Sequence, residues 1–175
     1  MKKQYCLVMR FICAFCSCLW LIVAAQEWEH DAEQQMNHRF LVREEQFRMQ
    51  AFLKRLGIVY QQIPTGIFYF VTIRGIGPRI ASGDVVFLDY RIKGLDGTLY
   101  YQNKFEEPME LIVGKYGAES GINQALTYLQ LGSKATVLLP SYLAHGLLGD
   151  RLKIPALMPI IWEIHVLNVL PRESQ

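Results

Sequence analysis

The apolar periodicity of this chain changes at Gly57, and that change limits the possible folds more than any other feature. From Glu27 to Leu56 there is no Gly or Pro, and Glu, Gln, Arg, Met, Leu and Phe dominate. These are mostly good helix formers. Met49, Phe52, Leu53 and Leu56 fall at i, i+3, i+4 and i+7, so they share one face of a helix. Gly57 reads as its stop. An arm of this kind serves as a packing or spacer helix; the same stripe also suits oligomerisation.

Beyond Gly57 the period becomes two. Ile67 to Ile73 is a dense aromatic and β-branched strand, ended by Gly75-Ile76-Gly77-Pro78. Val86, Leu88, Tyr90 and Ile92 alternate with Phe87, Asp89 and Arg91, which predicts a strand with the first set on a core. Asp96-Gly97 signals a hairpin turn, with Leu99-Tyr100-Tyr101 returning. Further strands are expected at Met109–Val113, Ala135–Leu139 and Ile160–Leu170, where Trp162, Ile164 and Val166 alternate with Glu163 and His165. Gly121–Leu131 is a short helix candidate, with Ile122, Ala125, Leu126 and Leu129 on one face. Many strands around one internal helix make an antiparallel α+β domain.

The N-terminus reads as a leader. Lys2, Lys3 and Arg10 precede an apolar run from Phe11 to Ala25, which closes on Val23-Ala24-Ala25 and turns polar at Gln26. That layout is expected of a secretory signal peptide removed after Ala25, with an uncleaved N-terminal anchor as the alternative, and the run is short for a spanning helix. Residues 1–25 are therefore expected to be a signal peptide, 26–64 the helical arm, 65–171 the main domain and 172–175 a tail. Removal of the leader would leave 15 basic side chains (18 less the leader's three) against 16 acidic ones. Such a balance excludes a global electrostatic case for nucleic acid. Cys6, Cys13, Cys16 and Cys18 all lie in the leader, so thiol catalysis, disulfides and cysteine-ligated metal are excluded for the mature domain. Lipidation at Cys18 is the competing reading. Phe15-Cys16-Ser17 is a poor cleavage site for it.

Most chemical motifs are absent: there is no phosphate loop, no nucleophile elbow and no histidine pair flanking a glutamate. Gly75-Ile76-Gly77 is too short for a dinucleotide fingerprint. Ser141 follows Pro140 with no base nearby and reads as a turn residue. Glu106 and Glu107 read as solvated, and His30 and His38 as surface residues. No cofactor or metal is expected. An enzyme built this way must work by binding and electrostatics.

From about Gly83 to Leu170 the chain resembles the FKBP-type peptidyl-prolyl isomerases. The residues that carry the likeness are Gly83-Asp84-Val85-Val86, Tyr90, Leu95-Asp96-Gly97-Thr98 and Pro108–Gly114, then Leu131-Gly132, Pro140-Ser141-Tyr142-Leu143-Ala144-His145-Gly146, Ile154-Pro155 and the strand from Ile160. The helical arm, Gly66-Ile67-Phe68-Tyr69-Phe70 and Gly149-Asp150 are similar to a subgroup of exported envelope members that includes gliding-motility lipoproteins. The resemblance implies a curved antiparallel sheet wrapped on one short helix. It implies catalytic positions at Tyr90, Tyr101 and His145, and substrate-binding positions at Tyr100, Met109, Leu111, Ile122, Ile154 and Trp162. Plain core is the alternative for each of them, and for Leu111 and Ile122 the two readings stand level.

Three positions depart from the family. Tyr101 stands where the family's long-known members have aspartate, His145 replaces their tyrosine donor, and Ile122 replaces their tryptophan floor, for which Trp162 partly compensates. The implied activity is peptidyl-prolyl isomerisation on proline-containing segments of envelope proteins, in the periplasm or cell envelope. Contact with the membrane is expected only through the leader or a lipid anchor. A weakly active or inactive proline-peptide-binding module is the alternative.

Overall fold

The structure, a computed structural model, describes residues 36–37, 39–104, 106–115 and 118–172. The leader with its cysteines, His30 and His38 lie outside the described residues. The chain divides into two units, Met1–Arg43 and Glu44–Gln175. In the first, 36–37 and 39–43 are helical.

The second unit opens with helix α1, 44–55. It ends as its sequence dictates. Gly57 takes φ +65°, Gly57 N donates to Lys54 O and Ile58 N to Leu53 O. This left-handed cap satisfies carbonyls that a helix end otherwise leaves orphaned. Met49 and Leu53 are fully buried as the periodicity predicts, whereas Leu56 stays half-exposed beside the cap.

Seven strands follow: β1 (Gln61–Gln62), β2 (Phe68–Ile73), β3 (Val85–Gly94), β4 (Leu99–Gln102), β5 (Met109–Ile112), β6 (Lys134–Leu139) and β7 (Ile160–Leu170). They form one antiparallel sheet in the order β1-β2-β6-β7-β3-β4, with β5 also paired to β3. Every strand expected from the sequence is present. β1 is an addition, within the stretch read as arm. Two glutamines carry no strand signal, and β1 exists because β2 supplies an edge, with Gln61 opposite Tyr69. The hairpin loop is wider than a two-residue turn. Gly94 N donates to Thr98 O, and Asp96 accepts from Thr98 N, while Gly97 takes φ +89°.

Helix α2 (Ser120–Leu126) is shorter than its apolar stripe, because the chain turns at Thr127 while Leu129 remains buried. It packs on one sheet face, where Val86, Leu88, Ile92, Val137, Trp162, Ile164 and Val166 form the main core with Ile122 and Leu126. Each such side chain contributes about 1.5–3 kcal/mol on full burial. On the other face α1 covers Phe68, Leu138 and Ile161 with Met49 and Leu53. Met49 and Leu53 of the arm are thus packing residues.

Candidate functional site

The candidate site follows from strand register. β3 and β7 pair with Tyr90 opposite Ile164 and Ile92 opposite Trp162. Side chains alternate across a strand, so Tyr90, Ile92 and Trp162 reach the same face as α2. The Tyr90 and Trp162 rings lie on a diagonal of that ladder, with centroids 5.1 Å apart and planes tilted by 32°. This is an offset aromatic pair. β4 adds Tyr101 and β5 adds Met109. Ala118 and Glu119 come from the approach to α2, and Ala144, His145, Asp150 and Leu152 from the β6–β7 connection. Together they line an open cleft of about 540 Å³.

A larger groove of about 1100 Å³ opens on the opposite sheet face. Asp89, Arg91, Glu163 and His165 line it. Its charges are of mixed sign, and of the aromatic pair only Tyr90 lines it. The smaller cleft is therefore the candidate for a site that works by apolar contact.

The polar groups at the cleft are largely committed to one another. Glu119 is the N-cap residue of α2, yet its side chain makes no capping hydrogen bond. Its Oε1 lies instead 3.0 Å from His145 Nε2. The N–H direction misses that oxygen, so this is a close polar contact rather than a formed hydrogen bond. His145 Nε2 and Trp162 Nε1 are both buried without an aligned partner among the described residues. A buried donor of this kind is costly to leave unsatisfied.

Tyr101 donates its hydroxyl to Asp150 Oδ2, and its ring face carries the Lys153 ammonium at 4.8 Å. Asp150 Oδ1 accepts from the backbone N–H groups of Leu152, Lys153 and Ile154 at 2.8–2.9 Å. Desolvation acts to raise the Asp150 carboxyl. The Tyr101 hydroxyl and the three backbone donors outweigh it and hold the group well below the usual carboxylate range. In turn the hydrogen bond to Asp150, followed by desolvation, pushes the Tyr101 phenol up. Gly149 makes this turn possible. It takes φ +66°, and a Cβ there would collide with the Ile154 carbonyl oxygen.

Of the residues singled out from sequence, Tyr90, Tyr101, Met109, His145 and Trp162 meet in the cleft. Tyr100, Leu111, Ile122 and Ile154 do not line it. They are buried in the main core behind it. Ile92, Glu119, Asp150 and Leu152 line the cleft unforeseen. Only Asp150 had a signal, in the Gly149-Asp150 pair. Ser141 is no mere turn residue: it is buried, and both its N–H and its hydroxyl donate to Glu45. Among the described residues no cluster of three or more His, Cys, Asp or Glu could hold a metal.

This sheet, half-wrapped on a short helix, recurs in solved structures. A peptidyl-prolyl cis-trans isomerase from Pseudomonas syringae pv. tomato str. DC3000 superposes with a TM-score of 0.65 at 22% identity, covering 76% of this chain and 96% of that one. FkpA from Escherichia coli superposes with a TM-score of 0.64 at 20% identity, covering 87% and 72%. Both likenesses define the fold. The chain belongs to the FKBP-type peptidyl-prolyl cis-trans isomerase family, whose profile matches residues 77–167. The FKBP-type 22 kDa peptidyl-prolyl cis-trans isomerase of Escherichia coli (strain K12) is 32% identical over 107 residues, 61% of this chain and 51% of that protein. Mouse peptidyl-prolyl cis-trans isomerase FKBP10 is 28% identical over 87 residues, 49% of this chain and 15% of that protein. The chain thus spans about half or less of the length of these curated relatives.

Proposed function

We propose that the protein catalyses cis-trans exchange of X-Pro peptide bonds in the cleft floored by Trp162 and Tyr90. The observation that supports this best is the aromatic floor itself: it is apolar, continuous with the core, and set in an FKBP-type domain. Rotation about a peptide bond crosses a barrier of about 18–20 kcal/mol, and X-Pro exchange in water takes tens to hundreds of seconds. The twisted amide has lost its resonance and is less polar than the planar one. A dry apolar cleft favours the twisted state relative to water, and one donor suffices to hold the substrate carbonyl. A 10⁴-fold acceleration requires about 5–6 kcal/mol of that preference.

In this reading Trp162, Tyr90 and Met109 receive the proline ring, and His145 is the donor at the rim. A neutral imidazole has a single N–H; with Nε2 as that donor, it reaches the substrate carbonyl only as substrate takes the place of the Glu119 carboxylate. Tyr101 acts through Asp150, as its hydroxyl proton is already given. Tyr100, Leu111, Ile122 and Ile154 back the cleft as a second layer. The second reading, a module that binds proline segments with little turnover, draws on the Tyr101 hydroxyl, which is already given to Asp150.

The substrates proposed are proline-containing segments of envelope proteins, and the place is the periplasm or cell envelope. The leader layout of residues 1–25 supports export, as do the arm and the Gly149-Asp150 pair shared by resemblance with exported members. No described helix is long and apolar enough to cross a membrane. The test is the rate of exchange in a proline tetrapeptide with the purified mature protein. Acceleration that is lost in Trp162→Ala supports the isomerase. Peptide binding without acceleration replaces it with the binding module.

A further inference from the structure

We propose that Glu45, on the arm helix, is a positioning residue for the loop that carries His145. The proposal rests on the cleft being the working site, but its geometry is independent of the reaction performed there. Glu45 is 2% exposed, and Ser141 is 3% exposed. Glu45 Oε2 accepts from Ser141 N at 2.8 Å, and Oε1 from Ser141 Oγ at 2.6 Å. These two residues are 96 positions apart in sequence. Both oxygens of the carboxylate are therefore spent on one residue, and a charge-assisted pair of this kind is directional and strong.

The place of Ser141 gives the contact its meaning. Ser141–Leu143 is a single 3-10 turn preceded by Pro140, and Pro140 offers no side-chain cap. The first N–H of that turn would be a buried orphan, and α1 supplies its acceptor from across the fold. Ala144 and His145, which line the cleft, follow within four residues of Ser141. The arm touches this segment at one further point, where Gln46 Nε2 donates to the Tyr142 hydroxyl at 3.5 Å. Gln46 Nε2 also donates to Gly66 O at 2.8 Å, and the Tyr142 hydroxyl donates to Thr65 O at 2.7 Å. From the other side α2 closes on it, since a Cβ on Gly121 would press on the Leu143 carbonyl. The loop is thus clamped between α2 and α1. Glu45 supplies the only carboxylate among the described residues that hydrogen-bonds Ser141. Packing alone does not require a buried carboxylate here, since Met49 and Leu53 already attach α1 to the sheet.

Three variants of the full chain test this: Glu45→Ala, Glu45→Gln and Met49→Val. Each is read by amide hydrogen exchange across 141–148 and by kcat and KM on a proline tetrapeptide, at a temperature where circular dichroism shows it folded. Glu45→Ala should speed exchange at Ser141–Ala144 at least tenfold relative to β7, and lower kcat/KM about fivefold. Glu45→Gln, which keeps one acceptor, should recover part of both. Met49→Val should lower the melting temperature without moving either local readout. Wild-type exchange at 141–144 in Glu45→Ala overturns the proposal, as does an equal loosening by Met49→Val. Faster local exchange in a protein with no isomerase activity leaves Glu45 its role and removes the catalytic reading of the cleft instead.

Discussion

Trp162 offers the sharpest quantitative test, because the structure makes two replacements diverge. The ring is 1% exposed and belongs both to the core and to the cleft. Truncation to alanine removes a large buried side chain and should cost about 3–5 kcal/mol. Trp162→Phe is different. It deletes roughly 40–50 Å² of apolar surface, worth about 1 kcal/mol. It also deletes the indole N–H, which has no partner among the described residues. Relief of that unsatisfied donor returns about 1–3 kcal/mol. The loss offsets the low end of the return, so Trp162→Phe should lie between about wild-type stability and about 2 kcal/mol above it. Urea unfolding followed by far-ultraviolet circular dichroism measures both variants on one scale. A Phe variant as costly as the Ala variant would refute the reasoning, because it would mean that the indole N–H is well satisfied in solution. In the same pair of proteins, affinity for a proline peptide should fall severalfold in Phe and be lost in Ala. Undiminished binding in both would return Trp162 to ordinary packing.

Other outcomes follow from the cleft's polar groups. The Asp150 pKa is lowered in the folded state, so its contribution is present above the unfolded value near ~4 and disappears only as pH falls through the lower folded value. A carboxyl-detected titration should therefore show Asp150 ionised through pH 4, and Tyr101→Phe should move its midpoint upward; a wild-type midpoint in the ordinary range contradicts the hydrogen-bond network. Gly149→Ala forces a side chain into positive φ and against the Ile154 carbonyl, and should weaken peptide binding several-fold with little loss of sheet signal in circular dichroism. His145→Phe keeps an aromatic wall and removes the donor, so kcat on a proline tetrapeptide should drop while peptide affinity is largely kept. An unchanged kcat would remove His145 from the reaction.

Local pattern was sufficient for the elements. The alternation of Val86–Ile92 and of Trp162–Val166 named the strands and their buried faces, and Gly57 named the end of α1, because side-chain period and backbone conformation are local properties. The same alternation put Tyr90 and Trp162 on the core side of their strands, and the family likeness placed them in one pocket. What needed the tertiary structure was every relation between distant segments. Leu111, Ile122, Tyr100 and Ile154 have the composition of cleft residues, but depth behind the Trp162 ring is set by how α2 and β5 close on the sheet. Asp150 reaches Tyr101 only because Gly149 turns the chain back, and Glu119 faces His145 rather than its own helix. Glu45 sits in an arm whose pattern speaks only of Met49, Phe52, Leu53 and Leu56, and nothing in its neighbours announces a serine 96 residues on. An apolar face is specified by repetition and can be read from one segment. A hydrogen bond is specified by two partners within about 3 Å, and only the folded chain decides which distant groups meet at that distance.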